Sequence, residues 1–178
     1  MKIRRENLFP KLINELHIKT GVEVGVAAGI HSANILTKSN IEKLYCIDPY
    51  FDDLYWAKEK DGNKRYDEAL LTLDKWIKNG RAELIRKTSL DVVGGFDDNS
   101  LGFVYLDGDR SKNVFPKDVD SWLKKIKIGG ILAGHDYKNK RTFMVKFMID
   151  KFCKDNDFVL KNTTETCKSW WFVKNHSY

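Results

Sequence analysis

The sequence predicts an α/β fold, a mostly parallel sheet covered by helices on both faces. Short apolar runs alternate with longer amphipathic ones along nearly the whole chain, the pattern of strand–helix–strand crossovers. The last two apolar runs have no helix between them, so a turn around "NTTETC" makes them an antiparallel pair at one edge. Acids, glycines and a histidine fall just after the strands, at the carboxyl rim where open sheets of this kind bind ligands.

In chain order, helical periodicity covers 5–17 and the first strand is 21–26. A helix over 31–38 leads to "KLYCID" at 43–48, and a long helix follows at 63–78. Strands then fall at 82–87 and 102–107, a helix at 116–127, and a strand at 129–134. The helix over 141–154 repeats Phe143, Phe147 and the adjacent Met144, Met148 at helical spacing, which reads as a core face. Strands at 157–161 and 168–174 close the chain.

The length of 178 residues suits one domain spanning 1–178, with a sizeable core and no need of disulfides. No apolar run is long enough to cross a bilayer, and "MKIRRENLFPKL" lacks a signal-peptide centre. Cys46, Cys153 and Cys167 have no metal-like spacing and read as reduced thiols, which places the protein in the cytoplasm. The net charge of +6 could attract nucleic acid or an anionic substrate. Its lysines, however, fall in "KWIKNG" and "WLKKIKIGG", where solvated helix faces are the ordinary explanation.

At the rim, Glu23, Gly25 and Gly29 form E-x-G-x-x-x-G, a turn bare enough for a ligand to approach the backbone. Ala27 breaks the dinucleotide fingerprint, and "IHS" at 30–32 is not a phosphate-loop ending. Asp48 closes the second strand. It either binds the two hydroxyls of a ribose or forms a turn before Pro49. Ser89 and nearby backbone groups follow the third strand and could meet a base. "YLDGD" and "AGHDY" bring Asp107, Asp109, His135 and Asp136 into one region, fit for proton transfer or for an oxygen- and nitrogen-ligated divalent ion. Arg110 reads as a partner of Asp109, or as a contact for an acidic substrate. Tyr50, Phe51, Tyr55 and Trp56 read as a lid, a stacking face for a sugar, or a loop anchor. His31 reads as a surface or capping residue.

The ordered set "VEVGVAAG", "LYCIDPY", "FVYLDGD", "WLKKIKIGGILAGHDY" and "WWFVK", over about residues 20–174, resembles the class I S-adenosylmethionine-dependent methyltransferases. Its "LDGD" with "GGILAGHDY" is most similar to the small sugar and macrolide O-methyltransferase group. The resemblance implies a Rossmann-like, doubly wound, seven-stranded sheet with an antiparallel last strand, and a domain core over about 20–174. It implies cofactor contacts from Glu23, Gly25, Val26, Gly29, Asp48, Ser89, Leu90 and Asp107, with Glu23 either touching the cofactor or supporting its loop. It implies catalysis by His135, Asp107 and Asp136. Metal-dependent relatives hold Mg²⁺ at positions matched by Asp107, His135 and Asp136. Here His135 replaces an acid of the usual pair, and Arg110 stands where relatives commonly carry a histidine. The acceptor expected is a hydroxyl of a small molecule or saccharide. Nucleic-acid methylation and a catalytically silent binding module are the alternatives. So little chain precedes the first strand that a homodimer could complete the recognition surface.

Overall fold

The computed structural model describes residues 2–52, 61–137 and 143–178. Tyr55 and Trp56 lie outside them. Its helices are α1 (Arg5–Glu15), α2 (Ile30–Lys38), α3 (Gly62–Lys78), α4 (Ser89–Val92), α5 (Phe115–Lys125) and α6 (Phe143–Asp155). Its strands are β1 (Thr20–Val24), β2 (Lys43–Ile47), β3 (Ala82–Ile85), β4 (Leu101–Leu106), β5 (Ile126–Tyr137), β6 (Lys161–Asn162) and β7 (Lys168–Val173).

Among the described residues the strands form one seven-stranded sheet in the order β3-β2-β1-β4-β5-β7-β6. The first five pair in parallel; β7 runs antiparallel to both β5 and β6. The order reverses between β1 and β4, which makes their carboxyl ends the switch point.

The period-two alternation of each strand sorts side chains to two cores. On one face, Phe9 and Ile13 of α1, Ile35 and Leu36 of α2, and Leu73 and Trp76 of α3 pack on Phe103 and Tyr105. On the other, Val119, Trp122 and Leu123 of α5 and Val145 and Ile149 of α6 pack on Val22, Val24, Val104 and Leu106. Each fully buried side chain of this size contributes about 1.5–3 kcal/mol. Pro10 sits inside α1 and leaves the Glu6 carbonyl without its helical donor. Lys38 Nζ supplies one at 3.2 Å. Buried Lys174 closes the end of α5, donating to the carbonyls of Leu123 and Ile126 and to Asn99 Oδ1 at 3.1, 2.7 and 3.0 Å.

The structure corrects several expectations. The sixth strand is only Lys161–Asn162, because Phe158 turns into the α6 side core instead of extending the edge. Helix α5 stops at Lys125 and β5 starts immediately after it, while α4 was not anticipated. In α6 the core stripe is Val145, Ile149 and Cys153, flanked by Met148 and Phe152. Phe147 and Met144 are exposed, at 54% and 44%; helical spacing identified the helix but not its buried face. The helix lysines do form solvated faces, with Lys78–Asp74 and Lys124–Asp120 pairs at 2.9 and 2.8 Å four residues apart.

Candidate active site

The carboxyl ends of the parallel strands are stitched into one rim. Gly25 N–H donates to Ile47 O at 2.8 Å, Asp107 N–H to Val24 O at 2.8 Å, and Asp48 N–H to Ile85 O at 3.1 Å. Three left-handed residues shape the turn from β1 into α2: Gly25, Ala27 and Gly29, at φ 86°, 47° and 79°. Gly29 caps α2 without a side-chain acceptor, so the first amides of that helix face the rim. Asp48 is buried, and it ties two loops together. Its Oδ2 accepts Ala27 N–H at 3.0 Å and its Oδ1 accepts Tyr50 N–H at 2.9 Å. A carboxylate oxygen has a second lone pair, so both remain able to accept. Tyr50, itself at φ 51°, donates its hydroxyl to Ala27 O.

Glu23 faces α2. Its Oε1 meets His31 Nδ1 at 3.0 Å, and its Oε2 accepts from Ser32 Oγ. His31 is therefore buried beside the loop rather than on the surface, its ring centroid 4.4 Å from that of Tyr105 with the planes tilted by 42°. Its Nε2 has no hydrogen-bond partner among the described residues. Val26 puts its side chain into the α1–α3 core and its carbonyl onto Gly29 N–H, so only part of its backbone is left for a ligand.

Asp107 and His135–Asp136 do converge, and a bulge brings this about. Between Gly134 and Tyr137 the β5–β7 register slips, so His135 and Asp136 leave the ladder, with Asp136 at φ 60°. Bulges of this kind re-aim side chains beside active sites, and the left-handed backbone at an aspartate marks a local strain held by its surroundings. His135 Nδ1 stands 3.6 Å from both Asp107 Oδ1 and Asp136 Oδ1. Arg110 Nη2 donates to Asp107 Oδ1, and its Nε pairs with Asp136 Oδ2. Arg110 thus bridges two acids and not Asp109, which instead accepts Ser111 N–H at 2.7 Å. Arg5 reaches Asp107 Oδ2 at 3.4 Å, and Cys167 Sγ donates to Asp136 Oδ1 at 3.1 Å. Burial pushes the Asp107 carboxyl up, but the His135 imidazole and the two guanidiniums outweigh it and hold the group below the usual carboxylate range.

The methyltransferase domain family matches residues 22–137, from β1 to the end of β5. The chain belongs to that family. An O-methyltransferase from Bacillus cereus in complex with SAH shares the fold at TM-score 0.71 and 14% identity, over 96% of this chain and 80% of that one. A methyltransferase from Geobacter sulfurreducens does so at 0.71 and 14%, over 96% and 78%. Spermidine synthase from Thermotoga maritima superposes at 0.67 and 13%, over 97% of this chain and 60% of that one. At these identities the likeness is one of fold, and a synthase among the neighbours means that the fold leaves the acceptor open. No curated protein matches the sequence.

The methyltransferase's donor groups fit an adenosyl amino acid: uncapped α2 amides for a carboxylate, and Asp48 at the adjoining strand end for a diol. They do not fit a divalent metal at Asp107 and Asp136, since every oxygen of that pair faces an N–H or S–H donor. His135, Asp136 and Cys167 offer ligand atoms within 4.8 Å of one another, yet Asp136 is already held by Arg110. Four residues of the site escaped sequence reasoning: Arg5, Cys167, His31 and Asp118. Arg5 and Cys167 reach it across about a hundred and about thirty intervening residues, a distance no local pattern spans.

Ser89 is buried, and Leu90 beside it is exposed. The Ser89 hydroxyl donates to Asp118 Oδ1 at 2.6 Å and accepts from Trp122 Nε1 at 2.7 Å. Burial pushes Asp118 up to about 6, against the Ser89 hydrogen bond and with help from Asp109. A carboxyl raised on folding stabilises below its unfolded value near 4 and loses that stabilisation as pH rises through about 6. Asp118→Asn keeps the acceptor for Ser89 and removes the charge. Urea unfolding of both proteins will show similar stability at acidic pH and an Asn variant ahead by about 2 kcal/mol above neutrality. A gap that does not widen with pH contradicts the assignment.

Proposed function

We propose that the protein transfers a methyl group from S-adenosylmethionine to a hydroxyl of a small molecule or sugar, with His135 as general base. The observation that carries this reading is the bulge, which sets one imidazole between two carboxylates at the rim, two strands from the glycine turn. Glycine-turn backbone and the α2 amides receive the methionine end, Asp48 the ribose, and the Ser89–Leu90 segment the adenine. The bound cofactor supplies an electrophilic methyl on a sulfonium. A hydroxyl is a poor nucleophile, so the protein has to take its proton as it attacks. Asp107 and Asp136 face Nδ1 of His135 and favour a hydrogen there, which leaves Nε2 to accept that proton. The Arg110 and Arg5 guanidiniums help hold Asp107 below the usual carboxylate range for this role.

Calorimetric titration with S-adenosylhomocysteine tests the cofactor half. Wild type binds, and Asp48→Ala binds roughly 10–100-fold more weakly, the worth of a charged hydrogen-bond pair to the ribose. Mass spectrometry of a panel of hydroxylated acceptors and sugars tests the other half. Methyl found on amines alone overturns the O-directed reading.

A further inference from the structure

We propose that the Arg110 guanidinium is a built-in cation, taking the position between Asp107 and Asp136 that a divalent ion would bridge, so that this site works without metal. The inference rests on the methyl-transfer reading above and concerns the same rim.

Two carboxylates from the ends of adjacent parallel strands, β4 and β5, repel each other unless a cation lies between them. A planar guanidinium serves two acids along different edges. Arg110 uses Nη2 on Asp107 and Nε on Asp136. The remaining oxygens are also taken, Asp107 Oδ2 by Arg5 and Asp136 Oδ1 by the Cys167 thiol. Among the described residues, two acids and two guanidiniums already balance. A divalent ion would have to expel Arg110 from a partly buried pair of salt bridges, and would then face Arg5 on the far oxygen of Asp107. It would also need several oxygen ligands at once, and each of these four already carries an N–H or S–H donor whose positive hydrogen would face the ion. Arg110 has a short reach to this place, because it lies three residues beyond Asp107 in the same turn. Arg110 is thus a positioning residue, aligning the two acids that face His135 Nδ1.

Mn²⁺ paramagnetic resonance, run with S-adenosylhomocysteine present, separates the outcomes. Wild type should leave Mn²⁺ free at about 1 mM, and methyl transfer by wild type should be unaffected by EDTA. Arg110→Ala should gain one Mn²⁺ per chain with affinity about tenfold tighter or more than wild type. Arg110→Gln, which keeps a donor and most of the length, should gain the same ion if the alanine variant is poorly folded. Stoichiometric Mn²⁺ on wild type, or loss of its activity to EDTA, overturns the proposal. So does a folded Arg110 variant that binds no more Mn²⁺ than wild type. Failure of wild type to bind S-adenosylhomocysteine would sink the methyl-transfer reading alone, since the resonance signal reads the cation site independently.

Discussion

Gly25→Ala will destabilise the protein by about 3–5 kcal/mol and abolish S-adenosylhomocysteine binding. A Cβ on Gly25 would lie 2.3 Å from the Asp107 carbonyl oxygen, 2.4 Å from its carbon and 2.7 Å from Gly108 nitrogen. These are backbone atoms at the end of a central strand, and they have no rotamer to escape into. The φ of 86° adds a smaller penalty for any L side chain, about 1 kcal/mol. Gly80 separates the two effects, because it has φ 80° and nothing within 4 Å of its would-be Cβ. Gly80→Ala should therefore lose only the conformational part. Urea unfolding of the two variants in parallel measures the difference. Equal losses would mean that the close approach of the β1–α2 turn to β4 does not matter, and the rim as described would be wrong.

His135→Ala will lower kcat by about 10²–10⁴-fold, the range for removing a general base. Binding of S-adenosylhomocysteine should stay within a few-fold of wild type, because no cofactor contact is assigned to the imidazole. Added imidazole should restore part of the rate. A structural role in the bulge would predict none of this rescue. Transfer within tenfold of wild type removes His135 as the base and leaves Asp107 or Asp136 to take the proton. The His135 ring is held by its neighbours' charges at 3.6 Å rather than by short hydrogen bonds, so substitution there should perturb folding little.

Most of the framework was legible from periodicity. Apolar runs near each β-strand, and amphipathic runs between them, recover every strand of the parallel part to within a few residues. The edge pair was legible from the missing helix between its strands. Legibility failed where burial is decided by neighbours far along the chain. Phe147 keeps helical spacing yet is exposed, because β5 and β7 present their groove to Val145 and Ile149. His31 resembles a helix-start polar residue, and only the inward tilt of Glu23 on β1 makes it a buried partner.

The sequence by itself determined the alternation, the glycine turn, the acids at successive strand ends and the membership of the methyltransferase family, because these depend on local spacing. Only the tertiary structure decided which groups meet. It turned Arg110 from Asp109 to Asp107 and Asp136, brought Arg5 from the first helix to the same acid, and re-aimed His135 through a slip in strand register. The reason is physical. Periodicity specifies a backbone, whereas charge pairing at a rim depends on distances between strands, and those exist only once the sheet has formed.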